Sequence, residues 1–207
     1  MDARLLQHVC RLFGGDGENS FGADARRLWQ RIQRFLALDL LPPDADQPAM
    51  ELAAYALQLP MHNDRPPSGR LGQVSLRDRA EQAAELLLSI DDPKHQELID
   101  RATRLLRELP LRKPPSPETQ LLADALNLED FGAVGLFLQA MNLSRMQGSI
   151  ELLAEGFQKR QEYGYWQARL KDGFHFEPVR RLARQRLANA EEAARLLLAE
   201  LQDDRPS

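Results

Sequence analysis

Apolar residues recur along most of this chain at spacings of three and four residues, the period of an amphipathic α-helix. One such series predicts a helix from Asp24 to Leu40, which ends before two prolines. The segment from Gln47 to about Leu59 is almost wholly apolar and predicts a central helix that is buried on most sides. The series nearest the N-terminus predicts a further amphipathic helix, which ends at a pair of glycines. It consists of Leu5, Leu6, Val9, Cys10 and Phe13.

Turn residues and caps divide the middle of the chain. Pro60 ends the central helix, and prolines and glycines over residues 61–72 predict a long exposed loop. Ser75 is the predicted N-cap of the next helix. Asp92 and Pro93 are expected to begin the helix after it, which runs to Leu109.

The C-terminal half continues the helical pattern. Ser116 is the expected N-cap of a helix that is followed by a short break and a further helix. An amphipathic segment runs from Ile150 to Tyr163, and an aromatic-rich segment follows between two glycines. Pro178 lies in the first turn of a long final helix through Leu201.

These patterns predict an all-α protein, a single bundle of about eight or nine helices, because no run of alternating β-branched residues occurs. We expect an N-terminal helix with a glycine-rich connector over residues 1–22. One helical domain is expected over residues 23–201, and a polar tail over residues 202–207.

Composition narrows the function classes. The chain has 207 residues and a net charge of -4, which argues against non-specific binding to nucleic acid. Its one cysteine, Cys10, cannot form an intramolecular disulfide, which favours a reducing compartment. No segment approaches about 20 uninterrupted apolar residues, so we expect a cytoplasmic protein with neither a signal peptide nor a membrane span.

The common catalytic motifs are missing from the sequence: it has no P-loop, no GxGxxG, no GxSxG and no HExxH. The tract from Gly14 to Gly17 lacks the lysine or preceding strand of a phosphate loop and predicts a flexible connector. Cys10 and His8 are two residues apart and point in different directions on a helix, so a buried apolar thiol is favoured.

Two groups of arginines could bind an anionic ligand, although a solvated or salt-bridged face is the favoured interpretation of both. The groups are Arg27, Arg31 and Arg34, and Arg180, Arg181, Arg184 and Arg186. A loop position with His62, Asn63 and Asp64 is the most metal-like in the chain. Two ligands are too few for a metal site, so an exposed polar loop is favoured there.

The segment ETQLLADALNLEDFGAVGLF, from Glu118 to Phe137, resembles the C-terminal signature of the HD superfamily of metal-dependent phosphohydrolases. In that signature an Asp-Ala-Asp-x-Leu-Asp-x-x-Gly-Ala pattern follows a proline-rich turn. Residues 95–109 resemble the preceding family helix and residues 176–201 the closing one. The resemblance spans about residues 20 to 201. It implies an all-helical fold in which a His, a His-Asp pair and a later Asp hold divalent metals that activate water against a phosphate ester.

Matched residue by residue, the chain departs from the family's ligand set. Asp24 stands at the first His, and the His-Asp pair is replaced by Leu57 with Gln58, or by Gln58 with Leu59. Asp124 aligns with the first Asp of the last motif and Leu126 with the second, the usual metal ligand. A leucine has no lone pair to donate, and a glutamine carbonyl is a weak neutral ligand.

These departures predict a non-catalytic HD-like protein with no resident cofactor, which binds a small ligand or a protein partner, but neither nucleic acid nor a membrane. The alternative is a metal-dependent phosphohydrolase of a nucleotide or small phosphate ester, in which a gap and a two-residue slip restore a divalent-metal site. Its ligands are Asp24, His62, Asp64 and Asp124. An interaction module that works through its arginine faces, or as a homodimer, is compatible with the first hypothesis.

Overall fold

The computed structural model describes residues 20–58, 75–145 and 147–203, together with Leu5 and Val9; the side chains of residues 20–24 and 145 are outside that description. The described chain forms nine α-helices and one short 3-10 helix, and it contains no strand, which confirms the all-α prediction. The helices are α1 (Ser20–Leu36), α2 (Gln47–Ala56), α3 (Leu76–Leu88), α4 (Gln96–Glu108), α5 (Pro117–Asn127), α6 (Gly132–Arg145), α7 (Ile150–Glu162), α8 (Tyr165–Asp172) and α9 (Glu177–Asp203), and the 3-10 helix is Leu128–Asp130.

Short polar side chains begin several of these helices by accepting a hydrogen bond from an otherwise unsatisfied backbone N–H. The hydroxyl of Ser75 accepts from the N–H of Asp78 at 3.1 Å, which confirms the predicted cap of α3. The hydroxyl of Ser116 accepts from the N–H of Thr119 at 3.3 Å, as predicted for α5.

Several helices differ from the prediction, including α2, which ends at Ala56 rather than at about Leu59. Helix α1 starts at Ser20 and ends at Leu36, because the chain then turns through Asp39, whose φ of 52° lies in the left-handed region. Helix α4 starts at Gln96 rather than at Asp92, since residues 93–95 form a turn. Helix α8 was not expected from the sequence, because Trp166 is the one residue of its eight that is buried and a single buried residue produces no period.

The chain divides into two compact units, with the boundary between Ala125 and Leu126 in the last turn of α5. In the N-terminal unit, α2 is central: it packs against α1, α3 and α4, and all but three of its residues are buried, as its composition predicted. In the C-terminal unit, α9 packs against α6, α7 and α8. None of the described helices is both long and apolar enough to cross a membrane.

Several predictions concern parts of the chain outside the described residues. They include most of the first helix, the connector at Gly14 to Gly17, the loop over residues 61–72 and the end of the polar tail. Leu5 and Val9, the described residues of the first helix, are helical and buried. The division at residues 22 and 201 stays a prediction.

Candidate functional site

The first candidate site is the C-terminal end of α2, where the family resemblance expects a His-Asp pair. Leu57 follows the last residue of α2, and its N–H donates to the carbonyl oxygen of Ala53 at 2.9 Å. Leu57 is fully buried and Gln58 is 4% exposed, so both side chains lie in the interior of the N-terminal unit. This interior position therefore carries an alkyl group and a neutral carboxamide.

A buried arginine from α3 reaches this end of α2. The Nε of Arg79 donates to the carbonyl oxygen of Leu57 at 2.5 Å, and the arginine side chain is buried. The last carbonyl groups of a helix have no partner within the helix and carry its negative partial charge. The guanidinium of Arg79 thus satisfies the end of α2 and places a permanent positive charge beside it.

The described residues at this position, Leu57 and Gln58, do not fit a divalent metal. A cation needs lone pairs, preferably from carboxylates or imidazoles, and Leu57 offers only a backbone carbonyl that Arg79 already engages. The amide nitrogen of Gln58 is buried and has no hydrogen-bond partner within the described part of the chain. A guanidinium next to the position also repels a second cation.

The second group of buried polar residues lies where α1 meets α5. Asp124, the candidate ligand of the last motif, is fully buried in α5. The Nη1 of Arg31 donates to the carbonyl oxygen of Ala125 at 2.6 Å, and Arg31 is itself buried. Arg31 is therefore not a solvated residue of the predicted arginine face on α1, because its guanidinium lies in the interior beside a carbonyl in the last turn of α5.

The structure thus describes only part of the alternative ligand set. Asp124 is buried as an interior ligand would be, whereas the side chain of Asp24 and all of His62 and Asp64 are outside the described residues. Among the described residues, no group of three or more His, Cys, Asp or Glu side chains comes together at metal-binding spacing. Leu126 is buried at its position in α5.

Two of the four arginines at the start of α9 form salt bridges, as predicted. The carboxylate of Glu177 accepts hydrogen bonds from Arg184 at 3.0 Å and from Arg180 at 2.7 Å. These bonds lower the pKa of Glu177 below its ordinary value. Arg186 reaches back to the carbonyl oxygen of Leu128 at 3.5 Å. This group is a salt-bridged face for Arg180 and Arg184.

The sequence reasoning missed a cluster of aromatic rings and arginines in the C-terminal unit. The ring of Trp166 lies 5.2 Å from that of Phe131 and 5.7 Å from that of Phe157, and the Phe174 ring lies 5.4 Å from Phe131. Arg169 lies 5.5 Å from the ring centroid of Phe131. The signal in the sequence was the aromatic-rich segment between Gly164 and Gly173, for which we predicted no role.

Arg169 ties this cluster together. Its guanidinium donates to the carboxylate of Asp130, to the side-chain oxygen of Asn127 at 2.8 Å and to the hydroxyl of Tyr165 at 3.1 Å. Burial acts to lower the pKa of Arg169, but the attraction of Asp130, together with the hydrogen bonds, raises that pKa above its ordinary value. The amide of Asn127 in turn donates to the carbonyl oxygen of Gly173 at 2.7 Å. Arg169 is thus a charged structural link.

Comparison with known proteins finds no relative that bears on the function of this chain. No family model matches the sequence, and neither the curated proteins nor the solved structures give a significant match. The relation to the HD superfamily stays a prediction from residues 118–137. The functional proposal therefore draws on the ends of α2 and α5.

Proposed function

We propose that this chain is a non-catalytic HD-like protein in which a buried guanidinium stands in place of a metal-binding pair, and that it serves to bind a small ligand or a protein partner. The observation that carries the proposal is the 2.5 Å hydrogen bond from Arg79 Nε to the carbonyl oxygen of Leu57. It puts a fixed positive charge and an alkyl side chain where the resemblance expects a histidine and an aspartate.

The energetics support an interior that is stable without metal. A hydrogen bond between a charged donor and a helix-terminal carbonyl contributes roughly 1.5–3 kcal/mol. Burying a leucine in place of a charged ligand removes the desolvation cost of that ligand. Arg31 makes the same kind of contact with Ala125, so two helix ends in this unit are satisfied by arginines.

The proposal predicts that the purified protein carries no stoichiometric metal. Protein prepared without chelator is expected to contain well under one Mn, Fe, Ni, Mg or Zn per chain, because Leu57 and Gln58, the described residues at the end of α2, offer no anionic donor. Elemental mass spectrometry measures the content. Hydrolysis of p-nitrophenyl phosphate in added Mn²⁺ or Ni²⁺ is expected to stay at the buffer rate.

One metal per chain would overturn the proposal and support the alternative phosphohydrolase. The Asp124→Asn variant then decides which residues bind the metal, since that alternative requires its carboxylate together with Asp24, His62 and Asp64. Loss of the metal in this variant supports the interior site. Retention of the metal in this variant places it at other residues and contradicts the ligand set of the alternative as well.

An interaction role is supported by an apolar stripe on α6. The stripe consists of Val134, Phe137 and Met141, which are exposed at spacings of three and four residues, and Phe137 is 70% exposed. Leu136 and Leu143 of the same helix are buried, so α6 presents a second apolar face. Exposed apolar faces of this kind mark interaction sites.

A second copy of the chain is the partner we favour for this stripe. The spacing matches the a and d positions of a helix that pairs with another helix. Acidic residues, Glu129 and Asp130, precede α6, a basic residue, Arg145, ends it, and no charged residue lies between. Two copies of α6 packed antiparallel about a two-fold axis would bring the acidic residues before one helix close to the C-terminal end of the other.

The Phe137→Glu variant is expected to be monomeric, because two carboxylates would be buried near each other at the centre of a two-fold seam. Light scattering after gel filtration should fall from about twice the chain mass of 23.5 kDa to one chain mass. Leu111→Glu, at an exposed leucine of the N-terminal unit, is the control and should remain dimeric. A monomeric wild-type protein, or a dimeric Phe137→Glu variant, would contradict the homodimer.

A further inference from the structure

A groove opens between α6 and α7 in the C-terminal unit. About 330 Å³ of empty space lies within it, a volume that includes open solvent. Three leucines, including Leu143 and Leu152, form its apolar wall, and the carboxamides of Gln139 and Asn142 supply polar groups. Arg160 is the one charged residue in the lining.

The guanidinium of Arg160 is held in position by neighbouring side chains. Its Nη1 donates to the side-chain oxygen of Gln139 at 2.8 Å, which links α7 to α6 across the groove. The guanidinium also lies 5.6 Å from the ring centroid of Tyr165 and 5.9 Å from that of Trp166. A cation fixed in this way loses little freedom when it binds a ligand.

Arg160 differs from the other cations around it in its lack of an anion. Lys159, the preceding residue, lies 3.9 Å from the carboxylate of Glu155, and Arg169 binds Asp130. Within the described ranges, no carboxylate pairs with Arg160, whose contacts are the carboxamide and the two rings. The groove therefore contains a positioned, uncompensated positive charge beside an apolar wall.

We infer that this groove binds a small monocarboxylate with a short aliphatic chain. A carboxylate accepts two parallel hydrogen bonds from a guanidinium, and the amide N–H groups of Gln139 and Asn142 supply further donors. The leucines of the wall would cover the aliphatic chain. One cation and a mostly apolar lining suit a singly charged group better than a phosphate. This inference is independent of the metal chemistry of the N-terminal unit.

Gly156 provides a way to fill the groove. It lies in the lining, and a Cβ added to it would have no atom within 4 Å. The Cβ of a Gly156→Leu variant therefore meets no neighbouring atom, and because residue 156 lines the groove, the leucine side chain is expected to compete with a ligand for that space.

The test is an NMR titration of the full chain with hexanoate, and with hexanamide as its uncharged counterpart. We expect saturable shifts of the Gly156 amide and of the Trp166 indole N–H, while the indole N–H of Trp29 in the N-terminal unit stays unchanged. Hexanamide should bind at least tenfold more weakly than hexanoate. Absence of saturable shifts, or equal binding of the two molecules, would overturn the inference.

Variants then assign the binding to the groove. Arg160→Gln should weaken hexanoate at least tenfold and leave hexanamide unchanged, Arg160→Lys should retain part of the affinity, and Gly156→Leu should abolish binding of both molecules. Lys159→Gln, at the neighbouring exposed cation, is the control and should bind hexanoate like the wild type. Wild-type binding by Gly156→Leu would overturn the inference even where loss of Arg160 prevents folding.

Discussion

Replacement of Trp166 by alanine is expected to lower the free energy of unfolding by roughly 3–5 kcal/mol. Trp166 is 1% exposed and contacts the rings of Phe131, Phe157 and Tyr165, with centroids between 5.1 and 5.7 Å away. The variant loses these aromatic contacts and leaves a cavity between the three remaining rings. Urea denaturation followed by far-UV circular dichroism measures the loss.

Two companion variants show whether the lost ring packing causes the effect. Tyr163→Ala removes a ring that is 84% exposed and should change the free energy of unfolding by no more than about 0.5 kcal/mol. Trp166→Phe keeps much of the ring contact and should be clearly milder than Trp166→Ala. Equal losses in Trp166→Ala and Tyr163→Ala would show that the aromatic cluster does not stabilise the C-terminal unit.

The helices could be predicted from the sequence where a capping residue or a hydrophobic pattern within the segment determines their position. The cap at Ser75 depends on residues three apart, and the burial of α2 depends on its own composition, so local sequence was sufficient in both cases. Helix α8 was missed because its helical state depends on the packing of Trp166 against rings from other segments. The tertiary contact that decides this helix leaves no local pattern.

The interior position of the candidate site residues could be expected from the sequence, whereas the arginines that contact this region could not. The alignment of Leu57, Gln58 and Leu126 with ligand positions follows from sequence order, and the structure places all three in the interior. The arginine that reaches Leu57 comes from 22 residues away, and Arg31 lies 94 residues from its acceptor. The hydrophobic period of a helix indicates only that an arginine lies on its polar side. The helix-terminal carbonyl oxygen that accepts its hydrogen bond belongs to a different helix, so the local sequence does not identify it.

Gly135 is another residue whose role is explained by tertiary contacts and not by the local sequence. The sequence places it in the apolar series of α6, where a glycine costs about 1 kcal/mol relative to alanine. The structure explains why a glycine is required there. A Cβ at this position would lie 2.4 Å from the carbonyl oxygen of Asp130 and 2.8 Å from that of Glu129, closer than real Cβ contacts allow. Both atoms belong to the backbone and cannot rotate away.

The Gly135→Ala variant is therefore expected to lower the free energy of unfolding by about 2–3 kcal/mol, because the overlap with backbone outweighs the gain in helix propensity. Gly156→Ala is the matched control in α7: its Cβ would meet open space, so the same substitution should raise stability by about 0.5–1 kcal/mol. Urea midpoints of the two variants should thus move in opposite directions from the wild type. A rise in both midpoints would mean that the turn at Asp130 can relax, and that the packing of this turn against α6 does not restrict position 135 to glycine.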